Sequence, residues 1–213
     1  MESAKDIAKD MLNVIHIEHS GFLEGVAKGF ISFPVSMGYL GYDFIDTEHR
    51  RENEDDKFRI TRLIKKGVYR REFIERAIGI FINYFTSHVD INRVRSIVEK
   101  NAGSAIGKIA FAQLSGVNLG ASITTGAVSS FLSGLVFGTL IYFGAETSRA
   151  IYTSRDLGIR EPAIYDKLRE AGDLDLLYFA IEDTVKPFEK ACDASKYNPE
   201  KFNEICDYFF GGL

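Results

Sequence analysis

Apolar residues recur every three or four positions along most of this chain, which is the spacing of an amphipathic α-helix. Pro is scarce, at 4 in 213 residues, and no segment shows the strict alternation of a half-buried strand. We therefore predict an all-α protein, a compact bundle of about eight to ten helices that forms one domain over residues 1–213. Helices are predicted near residues 3–18, 72–85, 90–101, 162–171, 174–186 and 199–210.

Prolines and small polar residues mark the expected ends of these helices. Pro34 divides an apolar segment at residues 20–45 into two short helices, and Pro187 and Asn198-Pro199 are expected breaks because Pro lacks the amide donor. Ser87 is expected to cap the helix that starts near Asp90. Residues 46–57 (DTEHRRENEDDK) are dense in charge and predict a solvated, flexible connection.

Residues 109–145 carry no charge at all. This stretch is too long for one span and predicts a hairpin of two helices, 109–124 and 126–145, with a turn within 122–126. Each helix of about 18 residues would rise about 27 Å, close to the ~30 Å hydrocarbon thickness of a bilayer. A buried hairpin at the centre of the bundle and a hairpin that enters a bilayer both fit this pattern.

Two kinds of residue build the predicted hairpin, whose tip is Thr125. Small residues recur every four positions and form ridges that let helices approach closely: Ala112, Gly116, Gly120 and Thr124 in the first arm, Gly126, Ser130, Gly134 and Gly138 in the second. The second arm is also strongly apolar, through Phe131, Leu132, Leu135, Val136, Phe137, Leu140, Ile141 and Phe143. The ridges predict a hairpin without deciding whether protein or lipid surrounds it.

A strongly basic stretch lies between acidic ends of the chain. Residues 57–71 hold seven bases and no acid: Lys57, Arg59, Arg62, Lys65, Lys66, Arg70 and Arg71. We predict that these seven contact anionic lipid, at about 1 kcal/mol per base near the surface. A solvated helix face that pairs with the acidic ends is the alternative. Nucleic acid is not expected as a partner, since the sequence pI is about 5.6.

A helical domain of about 200 residues with a charge-free, Gly- and Ser-rich hairpin resembles the pore-forming domain of colicin-type bacteriocins, and residues 109–145 carry the resemblance. It implies a bundle that hides the hairpin in water and releases it into the inner membrane of a target cell. It implies an anionic membrane as partner and allows a cognate immunity protein. In colicins the hairpin lies close to the carboxy terminus, whereas residues 146–213 follow it here.

Residues 1–15 (MESAKDIAKDMLNVI) lack the basic and apolar regions of a secretory signal peptide. We therefore expect synthesis in the cytoplasm, export by a non-classical route and action at the target cell's inner membrane.

Motifs for catalysis or cofactor binding are not evident. Residues 101–109 (NAGSAIGKI) depart from a phosphate-binding loop because Ala102 replaces its first Gly and Ile109 its Ser or Thr. His16 and His19 lie one turn apart without an identifiable third metal ligand. We expect no enzymatic activity, cofactor, metal or small-molecule substrate. Cys192 and Cys206 are expected to be buried free thiols, with a disulfide as the alternative.

The leading hypothesis is thus a soluble helical bundle that becomes a membrane-inserted, depolarising antibacterial pore. The second is a soluble partner-binding protein, such as an immunity protein or secretion adaptor, whose hairpin is only structural core. The third is a permanently inserted membrane protein with two spans.

Overall fold

A computed structural model of the chain describes residues 2–15, 46–66, 71–100, 119–135 and 143–211. All regular structure within these ranges is helical, which confirms the all-α prediction. The nine α-helices found there agree with the eight to ten expected: α1 Ala4–Ile15, α2 Arg50–Lys65, α3 Arg71–Ser87, α4 Ile91–Lys100, α5 Leu119–Leu135, α6 Phe143–Arg160, α7 Pro162–Glu170, α8 Tyr178–Tyr197 and α9 Pro199–Gly211. A 3-10 helix, Leu174–Leu177, precedes α8.

The contacts divide the chain into two compact units, and the first comprises residues 1–19, 78–130 and 183–213. In this unit α1 and α4 both pack against α9. Phe85 of α3 is fully buried and meets the rings of Phe188, Phe202 and Phe209 edge to face, with centroids 5.6–6.0 Å away. Such aromatic packing contributes beyond simple area burial, so Phe85 is a central side chain of this core.

The second unit comprises residues 20–77 and 131–182. Here α6 packs against α2, α7 and the 3-10 helix. The apolar side chains of Ile151, Leu157, Ile164 and Leu168 are completely buried. Each unit therefore has a core of its own, drawn from separate stretches of sequence. The single domain over residues 1–213 stays a prediction.

The structure corrects two local predictions. Residues 50–57 form the first half of α2 and not a flexible connection. The break at Pro187 is also wrong, because α8 continues through this residue. Pro187 removes one helical hydrogen bond, but buried Val185 and Phe188 on either side hold the helix in the first unit's core.

Helix α4 begins where the sequence indicated, although its cap differs from the expected one. The carboxylate of Asp90 accepts from the amide of Asn92 at 2.9 Å, so Asp90 is the cap. The Ser87 hydroxyl instead donates to the carbonyl of Tyr84.

Cys192 and Cys206 are buried and free, which confirms the preferred prediction for the two thiols.

Candidate membrane-contact site

Helix α5 lies within the charge-free stretch and passes straight through the expected turn. It is continuous from Leu119 to Leu135, so the prediction of a turn at residues 122–126 is wrong. Ser, Thr and Gly favour turns locally, but here the buried side chains of Ile123, Ala127 and Val128 recur at helical spacing. Thr125 is exposed, but it lies on the side of a helix and not at a hairpin tip.

The predicted hairpin residues fall into three groups. Gly120 and Thr124 are buried on α5, Thr125 is exposed and Gly126 is half-buried. Ser130, Phe131, Leu132, Gly134 and Leu135 belong to the same helix, and Phe143 begins α6. Seven predicted hairpin residues lie outside the described residues, so the rest of the second arm stays a prediction: Ala112, Gly116, Val136, Phe137, Gly138, Leu140 and Ile141.

Small residues lie where α5 comes close to two neighbouring helices of the first unit. A Cβ atom on Gly126 would lie 3.1 Å from the carbonyl oxygen of Ile15 and 3.2 Å from its Cβ, which is tighter than most real contacts, so a larger residue would require α1 to shift by a few tenths of an ångström. A Cβ atom on Gly79 of α3 would lie 3.6 Å from the Thr124 methyl group, which is ordinary contact.

The basic stretch divides into exposed residues and one buried arginine. Lys57, Arg62, Lys65 and Lys66 are exposed on and just after α2, and Arg71 is exposed at the start of α3. Arg70 lies outside the described residues. Arg59 is only 6% exposed and is removed from the predicted lipid-contact set, because its charge is already satisfied inside the protein.

Three aspartates surround the Arg59 guanidinium. Its Nη1 donates to Asp56 at 2.8 Å, its Nε to Asp173 at 2.7 Å and its Nη2 to Asp175 at 2.5 Å. Burial opposes the positive charge, but the hydrogen bonds and charge of Asp175, with those of Asp173 and Asp56, outweigh it and raise the pKa of Arg59 above its usual value. Arg59 is therefore a permanent cation that ties α2 to the segment before α8.

That segment adopts an unusual backbone. Gly172 has a φ of +108°, and Asp173 is a non-glycine residue at +67° in the left-handed region. Two arginines hold this turn, because Arg76 donates to the Ala171 carbonyl at 3.0 Å while Arg59 binds Asp173. Asp tolerates the left-handed region better than most residues, and the ion pair offsets the remaining strain.

A row of polar contacts, which we call the polar seam, joins α2 to α6. It consists of the pairs Asn53–Tyr152 and Asp56–Arg155 and of the three-residue chain Arg59–Asp175–Ser154. The Asn53 amide donates to the Tyr152 hydroxyl at 3.1 Å, and Arg155 donates to Asp56 at 2.9 Å. Asp175, which is fully buried, also accepts from the Ser154 hydroxyl at 2.7 Å.

At one end of the seam, the Tyr152 hydroxyl donates to Asp46 at 2.8 Å. This hydrogen bond is the main reason that the pKa of Asp46 falls to about 2, with a smaller contribution from His49. Sequence reasoning missed the whole seam. Two signals for it were present: Asn53, Asp56 and Arg59 recur every three residues, and acids alternate with leucines in residues 173–177 (DLDLL).

The described ranges contain neither a candidate membrane span nor a candidate metal site. None of the helices in these ranges is both long and apolar enough to cross a membrane. Nor do these ranges contain a group of three or more His, Cys, Asp or Glu side chains arranged to hold a metal ion. His16 and His19 lie outside the described ranges.

Comparison of the chain with protein-family models, curated proteins and solved structures gives no match.

Proposed function

We propose that this chain is a membrane-inserting, pore-forming antibacterial toxin, a helical bundle that releases the charge-free segment 109–145 into a target membrane. The single observation that supports it most is helix α5, which is uncharged over its whole length although it contains polar and small residues. Polar side chains without charge are tolerated in protein and in lipid, whereas one charge at mid-bilayer costs roughly 2.5–3.5 kcal/mol.

The packing of α5 is compatible with its release. Two of its close contacts in the first unit involve small residues, because Gly126 lies against Ile15 of α1 and Thr124 lies against Gly79 of α3. Helices that pack through small residues associate in lipid as well as in protein, so the same surface can serve both states. A cognate immunity protein in the producing cell would be a natural partner of such a toxin.

A second candidate is a soluble partner-binding protein, such as an immunity protein or secretion adaptor. It is favoured by the burial of Ile123, Thr124, Ala127 and Val128, all at most 7% exposed, in the first unit's core. In that case α5 is structural core and never leaves the protein. The two candidates differ in whether a new charge on α5 affects function without affecting folding.

The test is leakage of dye and potassium from anionic liposomes with detergent-free protein at neutral and mildly acidic pH. Thr125→Asp adds a charge at an exposed position of α5, so the unfolding free energy should change by less than about 0.5 kcal/mol. Asn83→Asp adds the same charge at an exposed position of α3 and is the matched control.

The toxin proposal expects leakage that rises with the anionic lipid fraction, is lost in Thr125→Asp and persists in Asn83→Asp. Leakage by Thr125→Asp at the level of the unmodified protein would show that α5 stays outside the bilayer. If the unmodified protein releases nothing at any lipid composition or pH, the partner-binding candidate replaces the toxin proposal.

A further inference from the structure

An exposed aromatic ring lies among basic side chains on α2. Phe58 is 71% exposed, an unusual position for so large an apolar side chain. We call this surface the Phe58 face; its members are exposed and span about half of the helix circumference: Lys57, Phe58, Thr61, Arg62, Lys65 and Lys66. The face holds four bases and no acid.

The opposite side of α2 fixes which way this face points. Ile60 and Leu63 are each 3% exposed, and Arg59 is bound by three aspartates of the second unit. Any rotation of α2 that buried Phe58 would pull Arg59 out of this network. The exposure of Phe58 is therefore imposed by the fold around Arg59.

Bases in the last turns of α2 have an ordinary structural explanation, because cations stabilise the carboxyl end of a helix. That explanation does not extend to Phe58, which gains nothing from the helix dipole. A ring beside Lys and Arg is typical of helices that lie in a membrane interface, where the ring enters the acyl boundary and the bases meet anionic headgroups.

We propose that the Phe58 face is the docking surface for an anionic lipid bilayer, with Phe58 as its apolar anchor. The inference rests on the proposed function, because it supplies the first contact of that protein with its target membrane. Of the seven bases predicted to contact lipid, the face keeps Lys57, Arg62, Lys65 and Lys66, and Phe58 is added to them.

Charge limits where the bilayer can lie. The first turns of α2, residues 50–55, hold three acids and two bases, and the whole chain has a net charge of -4. Anionic lipid therefore repels the first turns of α2 and attracts its second half. Because the attraction is between exposed charges, it falls off within a Debye length of about 10 Å at 0.1 M salt.

The chain contains no Trp, so Phe58→Trp creates a single fluorophore at the proposed anchor. Emission is recorded with vesicles of phosphatidylcholine alone or mixed with phosphatidylglycerol, and brominated lipid reports contact with acyl chains. We expect a blue shift and bromine quenching with the anionic vesicles only. Ile159→Trp, at an apolar position of α6 that is 81% exposed, is the matched control and should show neither effect.

Affinity for the same vesicles is measured by co-sedimentation. Lys65→Gln combined with Lys66→Gln removes two exposed bases of the face and should weaken binding about 30-fold, or about fivefold per base. Lys9→Gln combined with Arg95→Gln removes two exposed bases of the first unit and should leave binding nearly unchanged. Equal losses in both double variants would mean that net charge alone drives binding and would overturn the proposal.

An unshifted Phe58→Trp spectrum with anionic vesicles also overturns it. A shift with double-stranded DNA but not with vesicles assigns the face to nucleic acid and rejects the lipid. Docking and pore formation fail separately in these experiments: binding without leakage rejects the pore and keeps the docking surface. Leakage with an unshifted Phe58→Trp spectrum rejects the docking surface and keeps the pore.

Discussion

Replacing Arg59 by methionine tests whether its ion-pair network holds the second unit together. Methionine keeps much of the aliphatic stem and removes the charge, so packing changes little. The side chains of Arg59 and Asp175 are 7% and 0% exposed, so water cannot replace the lost partner of Asp175. Removing one member of such a buried pair costs about 3–5 kcal/mol, because the other charge remains buried.

The first unit offers a matched control in Arg93, which also binds an aspartate through two nitrogens. Its Nε and Nη2 donate to Asp207 at 2.8 and 2.5 Å, and the hydrogen bond with Asp207 raises the pKa of Arg93. The two side chains are 39% and 43% exposed, however, and exposed pairs contribute only about 0–1 kcal/mol. The loss of unfolding free energy in Arg93→Met should therefore be at least about 2 kcal/mol smaller than the loss in Arg59→Met.

Urea unfolding followed by circular dichroism at neutral pH measures the unfolding free energies of both variants. Adding Asp175→Leu to Arg59→Met removes the stranded carboxylate and should recover a large part of the loss. Equal costs for Arg59→Met and Arg93→Met, or no recovery in the double variant, would refute the view that Asp175 needs Arg59.

Three further predictions concern other parts of the fold. Gly126→Ala should destabilise by up to about 3 kcal/mol, because its methyl group would lie 3.1 Å from the Ile15 carbonyl oxygen and α1 would have to shift to admit it. Gly79→Ala should instead stabilise by up to about 1 kcal/mol, and urea unfolding that ranked the two variants in reverse would contradict the packing of α5. Asp46 has a lowered pKa of about 2 in the folded protein, so its stabilising effect is complete above about pH 4 and disappears as the pH falls to about 2. Unfolding measured from pH 5 to pH 2 should show a weaker pH dependence in Tyr152→Phe, and an unchanged one would exclude this hydrogen bond as the cause. Burial raises the pKa of Cys206 to about 12, so a thiol reagent at pH 8 should label it far more slowly in the native than in the unfolded protein; equal rates would contradict its burial.

Much of the helical structure follows from local pattern. The predicted helices at 72–85, 90–101, 162–171 and 199–210 differ from α3, α4, α7 and α9 by no more than two residues at either end. These segments have regular apolar spacing and clear ends, so local and tertiary preferences agree. The start of α2 was missed because its inward positions are polar, as at Asn53 and Asp56, and an apolar pattern cannot reveal a polar interface.

The candidate site was harder to predict, because tertiary partners decide it. Nothing near Arg59 in sequence distinguishes it from Arg62, yet partners 114 and 116 residues away bury only Arg59. The turn expected at 122–126 failed for a similar reason. Local preference of Ser, Thr and Gly for turns was overridden by the burial of Ile123, Ala127 and Val128 in the first unit.

The polar seam also determines the register in which α2 and α6 meet. Apolar side chains tolerate a shift of one helical turn, about 5.4 Å, because every contact remains apolar. A shift of α2 by one turn in either direction would part Arg59 from Asp173 and Asp175 and leave the buried carboxylate of Asp175 without its cation. A buried charge without a partner opposes both shifts, so this interface favours one alignment where leucines would permit several.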